Sequence, residues 1–164
     1  MSKAVLNSSV IVALSMVGYL NKLKPIFQEI LGAKAVYDEI CGAGQGLIGD
    51  RELQEAVKSK IIEVKEVKNR LLVNALLDPL AIGEAETITL ASEERADQIV
   101  LDDKAARRRA KAMKLNVIGT LRILRMMYDA KLIDKHEIIE ALKKLRETGF
   151  RIGEDVINKT IKEL

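Results

Sequence analysis

Aromatic residues are scarce in this chain: 3% of 164 residues, with no Trp, three Tyr and two Phe. Stacking of successive bases on aromatic rings is therefore not its main route to a single-stranded nucleic acid. Cys41 is the only cysteine, which excludes an intrachain disulfide and points to a reducing, cytoplasmic setting. As a lone thiol it reads as a small packed hydrophobe. The single histidine, His136, opens a late helical pattern and reads as a surface or capping residue. Neither sign of charge dominates: 27 Lys+Arg against 24 Asp+Glu give a net charge of +3. Any attraction for nucleic acid must come from a local patch. The apolar run Val10–Leu20 after Lys3 contains Ser15, Gly18 and Tyr19 and has no small-x-small site after it. It is too short to span a membrane, and it reads as buried structure rather than as a targeting segment. No G-x-S-x-G, H-E-x-x-H, C-x-x-C or P-loop pattern occurs.

What is present is enough for a core. Hydrophobic residues make up 48% and charged residues 31%, which excludes gross disorder. The length fits a single domain over residues 1–164. Short apolar runs predict strands at Ala4–Leu6, Ile61–Val67, Gln98–Leu101 and Asn116–Ile118. Helices are expected after Ser8 or Ser9 as cap, then over Leu20–Leu31 with a break at Pro25, and over Ala35–Cys41 and Asp50–Lys58. Further helices are expected at Leu71–Leu77, Ile82–Arg95, Lys104–Lys114, Gly119–Ala130, Lys135–Glu147 and Glu154–Leu164, so that 134–164 forms C-terminal helices. Strands separated by helix-length segments predict an α/β fold with a parallel sheet covered on both faces.

In such sheets ligands bind beyond the carboxyl ends of the strands. Asn7-Ser8-Ser9 follows the first strand, and Asp102-Asp103 follows Gln98–Leu101. Adjacent carboxylates repel each other unless a cation is near, and hard oxygen ligands suit Mg²⁺ or Mn²⁺. The plainer reading has one Asp capping the next helix and the other in solvent. Glu84 shares a stripe with Ile88 and Ala91 and is expected to face inwards, whereas Glu86 falls on another face and is expected in solvent. Glu39 borders the Val36/Ile40 stripe, and Asp38 points away. Lys104, Arg107, Arg108 and Lys111 form one basic stripe, fitted either to a phosphate backbone or to a solvated helix face. Gly44-Gln45-Gly46-Leu47-Ile48-Gly49 spells G-x-G-x-x-G, but helix rather than strand precedes it, so dinucleotide binding is not expected. A small-molecule phosphate enzyme using the Gly42–Gly49 loop would need that strand.

The ordered set Val5-Leu6-Asn7-Ser8-Ser9-Val10-Ile11-Val12-Ala13-Leu14, Ala35-Val36-Tyr37-Asp38-Glu39-Ile40, Gly83-Glu84-Ala85-Glu86-Thr87-Ile88-Thr89-Leu90-Ala91, Leu101-Asp102-Asp103-Lys104-Ala105-Ala106-Arg107 and Val117-Ile118-Gly119-Thr120-Leu121 resembles the PIN-like domain family over nearly the whole chain. It is closest to the branch of short prokaryotic predicted nucleic-acid-binding proteins, many of whose relatives are VapC-type toxins. The resemblance implies a three-layer α/β/α fold with a central parallel sheet of four or five short strands, and often a homodimer. It also implies acidic residues binding Mg²⁺ or Mn²⁺ for endonucleolytic cleavage of RNA, with a small antitoxin protein as partner of the toxins. The family's acids fall on Glu39, on Glu84 (Glu86 less well), and on Asp103 or Asp102. The first acid is replaced by Asn7, whose carbonyl can bind a metal but lacks the charge, which weakens the site. The implied activity is metal-dependent phosphodiester hydrolysis. Ser8 and Ser9 would position a water or phosphate oxygen, and the Lys104/Arg107/Arg108/Lys111 stripe would hold the backbone. The alternative is a non-catalytic RNA- or protein-binding module of the same fold.

Overall fold

Each short apolar run of the sequence becomes the inside of a sheet or the face of a helix laid on it. The computed structural model describes residues 2–42, 46–150 and 153–164. Five strands, β1 (Lys3–Leu6), β2 (Glu29–Ala33), β3 (Glu63–Lys65), β4 (Gln98–Val100) and β5 (Val117–Ile118), form one sheet in the order β3-β2-β1-β4-β5. Every neighbouring pair is parallel, with Val5 opposite Leu31 on one side and Ile99 on the other. Among the described residues nine helices flank it: α1 (Ser8–Met16), α2 (Lys34–Cys41), α3 (Asp50–Lys58), α4 (Arg70–Leu76), α5 (Ile82–Glu93), α6 (Lys104–Ala112), α7 (Thr120–Asp129), α8 (Lys135–Glu147) and α9 (Glu154–Lys162). α5 packs on β1, β2 and β4 with α4 and α6 beside it, and α1 packs with α7 and α8. The result is the three-layer α/β/α arrangement with a parallel centre.

One expected element is different. The segment Leu20–Leu31, expected to be helix, is a single 3₁₀ turn at Leu20–Leu23 followed by the strand β2. β2 lies between β1 and β3, so Ile30 and Leu31 are both buried although they point to opposite faces. A strand covered on both faces carries no alternation to distinguish it from helix. A second correction concerns the first helix. Ser8 is its first residue and Asn7 occupies the N-cap position, without a capping hydrogen bond from its side chain.

The chain runs from β1 outwards to β3, then returns to the other side of β1 as β4 and β5. This reversal makes the gap between the carboxyl ends of β1 and β4 the topological switch point, where open α/β sheets bind ligands. The opposite edge is charge-compensated. Glu94, the C-cap of α5, takes Lys65 Nζ at 3.1 Å and Lys3 Nζ at 3.3 Å. These two ammonium groups, Lys65 foremost, hold its carboxyl below the ordinary range.

Candidate functional site

Asn7 leaves β1 at the switch point, buried to 3% exposure, with its backbone N–H donating to Val100 O at 3.1 Å. That bond ties the end of β1 to the end of β4, from which Asp102 and Asp103 emerge. A cavity of about 520 Å³ opens here, lined by Asn7, Ser8, Ser9, Glu39, Ala81, Glu84, Asp102, Asp103, Gly149 and Phe150. Segments distant in sequence thus meet at one sheet edge.

Each acid is fixed in its own way. Asp103 caps α6 by accepting the Ala106 N–H at 3.0 Å. Asp102 accepts the Thr120 N–H at 2.9 Å and the Thr120 hydroxyl at 2.7 Å, so it is tied to the start of α7 rather than left in solvent. Glu84 accepts the Ala81 N–H at 3.1 Å, closing the first turn of α5. Glu39 reaches from α2 to the same turn. A Cβ at Gly83 would stand 2.9 Å from Glu39 Oε1, so the absence of a side chain there makes room for the carboxylate. Asp38 pairs instead with Lys34 at 2.8 Å.

Glu86 requires a correction. It is not in solvent but buried: Oε1 accepts the Ala35 N–H at 3.0 Å, and Oε2 meets Arg70 Nη1 at 2.7 Å. Helical spacing misleads here because α5 is enclosed nearly all round, with Ala85 to Ala91 buried without interruption. Glu86 therefore fastens α4 to the start of α2, while Glu84 lines the cavity.

The electrostatics of the two ends of α5 contrast. No ion pair joins Glu39, Glu84, Asp102 or Asp103 to a basic side chain among the described residues. Burial pushes the Glu84 carboxyl above the ordinary carboxylate range. The Ala81 N–H opposes this, and the charges of Asp103 and Glu39 add to the rise. Three carboxylates from α2, α5 and the end of β4 are thus close enough to feel one another. With the Asn7 carbonyl they form an all-oxygen donor set, the chemistry a hard divalent cation requires. The set fits such an ion in kind. Among the described residues no group of three or more Asp, Glu, His or Cys side chains is already drawn to metal-holding distance.

The basic stripe divides. Lys104, Arg108 and Lys111 are exposed on α6, whereas Arg107 is half-buried and its Nη1 donates to Leu101 O at 2.6 Å. Arg107 braces the end of β4 beside Gly119, where a Cβ would meet Asp102 Oδ1 at 2.9 Å and Arg107 Nη1 at 3.0 Å. Ser9 Oγ is buried without a hydrogen-bond partner among the described residues, and Ser8 lines the same cavity.

Several of these residues escape the sequence reading. Thr120, Gly83 and Phe150 act through contacts made by folding. Only Thr120 had a signal, since it follows Val117–Ile118 almost as directly as Asn7 follows the first strand. The Gly44–Gln45 part of the glycine pattern lies outside the described residues. The helix α2 precedes it, so the phosphate-loop reading lacks its strand. Cys41 Sγ faces Asp50 O at 3.6 Å, and burial pushes its thiol up to about 11, as suits an unreactive packed group.

Glu39, Glu84, Asp102 and Asp103 thus line one cavity at the switch point of a parallel α/β/α sheet, with no ion pair to a basic side chain among the described residues. A family model described as PIN domain matches residues 3–164, and the chain belongs to that family. It is accordingly a module of the nuclease type. Comparison with curated proteins and with solved structures gives no match.

Proposed function

We propose that this chain is a metal-dependent endoribonuclease. The observation that carries the reading is the meeting of Glu39, Glu84 and Asp103, without basic partners among the described residues, in one cavity at the switch point. Glu39, Glu84 and Asp103, with the Asn7 carbonyl and with Asp102 beside them, would hold one or two Mg²⁺ or Mn²⁺ ions. When bound, such ions activate a water and neutralise charge developing on the phosphoryl group. Thr120 and Arg107 act as positioning residues for Asp102 and for the end of β4. The first amides of α1, at Ser8 and Ser9, have no partner within the helix and would donate to a phosphate oxygen. Lys104, Arg108 and Lys111 would hold the RNA backbone without reading bases. The proposal extends to a VapC-like role for the whole chain as one domain in the cytoplasm, as a homodimer with a small antitoxin partner.

Asp103→Asn tests the reading. Asn retains the capping oxygen that accepts the Ala106 N–H, so the fold is expected to persist with Tm nearly unchanged. Cleavage of single-stranded RNA in Mn²⁺ is expected to fall about 100-fold or more, through loss of a charged ligand. Unchanged cleavage would remove Asp103 from the site.

Gly83→Ala separates position from charge. Ala favours a helix over Gly by about 0.5–1 kcal/mol, and the group it strikes is the movable end of Glu39. Stability is expected to hold or rise slightly. Mn²⁺ affinity, read by calorimetric titration, is expected to drop about 10-fold or more, as when the support of a metal ligand is lost. Unaltered affinity would show that Glu39 does not bind the ion.

A second reading has one specific observation behind it, the neutral Asn7 where a carboxylate would complete the set. It is a non-catalytic RNA-binding module, and it predicts salt-dependent binding that needs no metal.

A further inference from the structure

Acidic and polar side chains share the lining of the switch-point cavity with Ala81, Gly149 and Phe150. Phe150 is its one aromatic ring and one of only two phenylalanines in the chain. The other, Phe27, is core at 2% exposure, whereas Phe150 is half-buried, packing on the core and lining the cavity. Its position is dictated by the end of α8. Gly149 at φ +87° terminates that helix, with the Phe150 N–H donating to Leu145 O at 3.0 Å and the Gly149 N–H to Arg146 O at 3.3 Å. This is a Schellman closure, which fixes the residue after the glycine against the last turn. Leu145 in that turn is fully buried. α1 and α8 run antiparallel: the Tyr19 hydroxyl, beyond the end of α1, donates to Glu137 O in the first turn of α8 at 3.4 Å. The far end of α8 is thereby carried to the start of α1, which brings Phe150 beside Ser8, Ser9 and the carboxylates.

Binding a cation or phosphate needs no hydrocarbon ring, and a ring left half in water at the rim of a charged cavity forgoes part of its burial energy. A flat, weakly polar ligand attached to the phosphate would recover it. We infer that Phe150 forms a nucleobase subsite, stacking one base next to the phosphate that a divalent cation on the acidic cluster would hold. One ring serves one base, which agrees with the scarcity of aromatics elsewhere. The inference deepens the nuclease reading and rests on it for the position of the phosphate.

The test uses one mixed single-stranded RNA and a set of copies carrying a single abasic nucleotide at each position in turn. Cleavage in Mn²⁺ and binding in Ca²⁺, by fluorescence anisotropy, are measured for the unaltered chain, Phe150→Leu and Phe150→Tyr. Leu keeps apolar packing without a ring; Tyr restores the ring. One abasic position is expected to weaken binding and kcat/KM by about 5- to 100-fold for the unaltered chain and for Phe150→Tyr. For Phe150→Leu the same abasic position is expected to cost nothing further, a coupling that a merely structural Phe150 would not produce. An equal abasic penalty in Phe150→Leu overturns the subsite while leaving the nuclease reading in place. Phe150-dependent base binding without cleavage supports the subsite and overturns the nuclease reading. Absence of both cleavage and binding overturns both.

Discussion

Replacing Glu84 by Gln is expected to cut cleavage severely and at the same time to stabilise the protein at neutral pH. The carboxyl is half-buried in the first turn of α5, and its raised proton affinity is due first to burial and then to the charges of Asp103 and Glu39. A carboxyl whose folded pKa lies above its unfolded value contributes stability below the unfolded pKa and loses it as pH rises through the folded one. At pH 7 the ionised Glu84 therefore works against the fold. Gln is isosteric and neutral, and its amide oxygen can still accept the Ala81 N–H that Glu84 holds at 3.1 Å. The Tm of Glu84→Gln should exceed that of the unaltered chain at pH 7. The gap should close as pH falls towards the ordinary carboxylate range, about pH 4. Cleavage in Mn²⁺ should fall about 100- to 1000-fold, because several kcal/mol of transition-state stabilisation leave with the metal ligand. A variant both less stable at pH 7 and still active would place Glu84 outside the site and would leave its raised proton affinity without a use. Opposite movements of stability and activity are the mark of a residue kept for chemistry rather than for folding.

The second large effect runs the other way. Asn7→Asp adds a carboxylate at a position with 3% exposure, facing Glu84 and Asp103 across the cavity. Among the described residues the side chain of Asn7 makes one long hydrogen bond, with the Thr87 hydroxyl 3.4 Å from Oδ1, while that hydroxyl also donates to Gly83 O at 2.7 Å. Neither group would neutralise a new charge. Without metal the variant is expected to lose stability, since a buried unpaired carboxylate is costly. With Mn²⁺ present the loss should be recovered, because the added charge raises affinity for the ion, on the order of tenfold, and thermal stability follows binding. Cleavage should increase in parallel. Thermal melts with and without Mn²⁺, beside a cleavage assay, read all three effects. An Asn7→Asp variant whose stability ignores Mn²⁺ would mean that Asn7 is not part of a metal site.

Much of this arrangement can be read from the residues. Asn7, Asp102 and Asp103 are visible as the groups that follow Ala4–Leu6 and Gln98–Leu101, because a parallel sheet gathers its strand ends at one edge. Glu84 is visible through its register with Ile88 and Ala91. β2 is not, since Ile30 and Leu31 are covered on both faces and leave no period. Glu86 is misjudged for a related reason: α5 has almost no outer face, so helical spacing no longer separates water from core. The division of the basic stripe is hidden as well, because Arg107 is defined by the Leu101 carbonyl it finds on folding, not by its spacing from Lys104 and Lys111. Gly83 and Phe150 are functional candidates only by contact, one by leaving room for Glu39 and the other by the closure of α8.

Whether the acidic cavity beside β1 and β4 is a metal-dependent phosphodiesterase site is tested most directly by cleavage of a mixed-sequence single-stranded RNA. The unaltered chain and Asn7→Asp are compared in Mn²⁺ and again in excess chelator, with circular dichroism to establish that both are folded. Cuts are expected in Mn²⁺ from both proteins, faster for the Asp variant, and none in chelator. Folded protein that leaves the RNA intact in every arm, while binding it equally with and without metal, would contradict the metal-dependent nuclease.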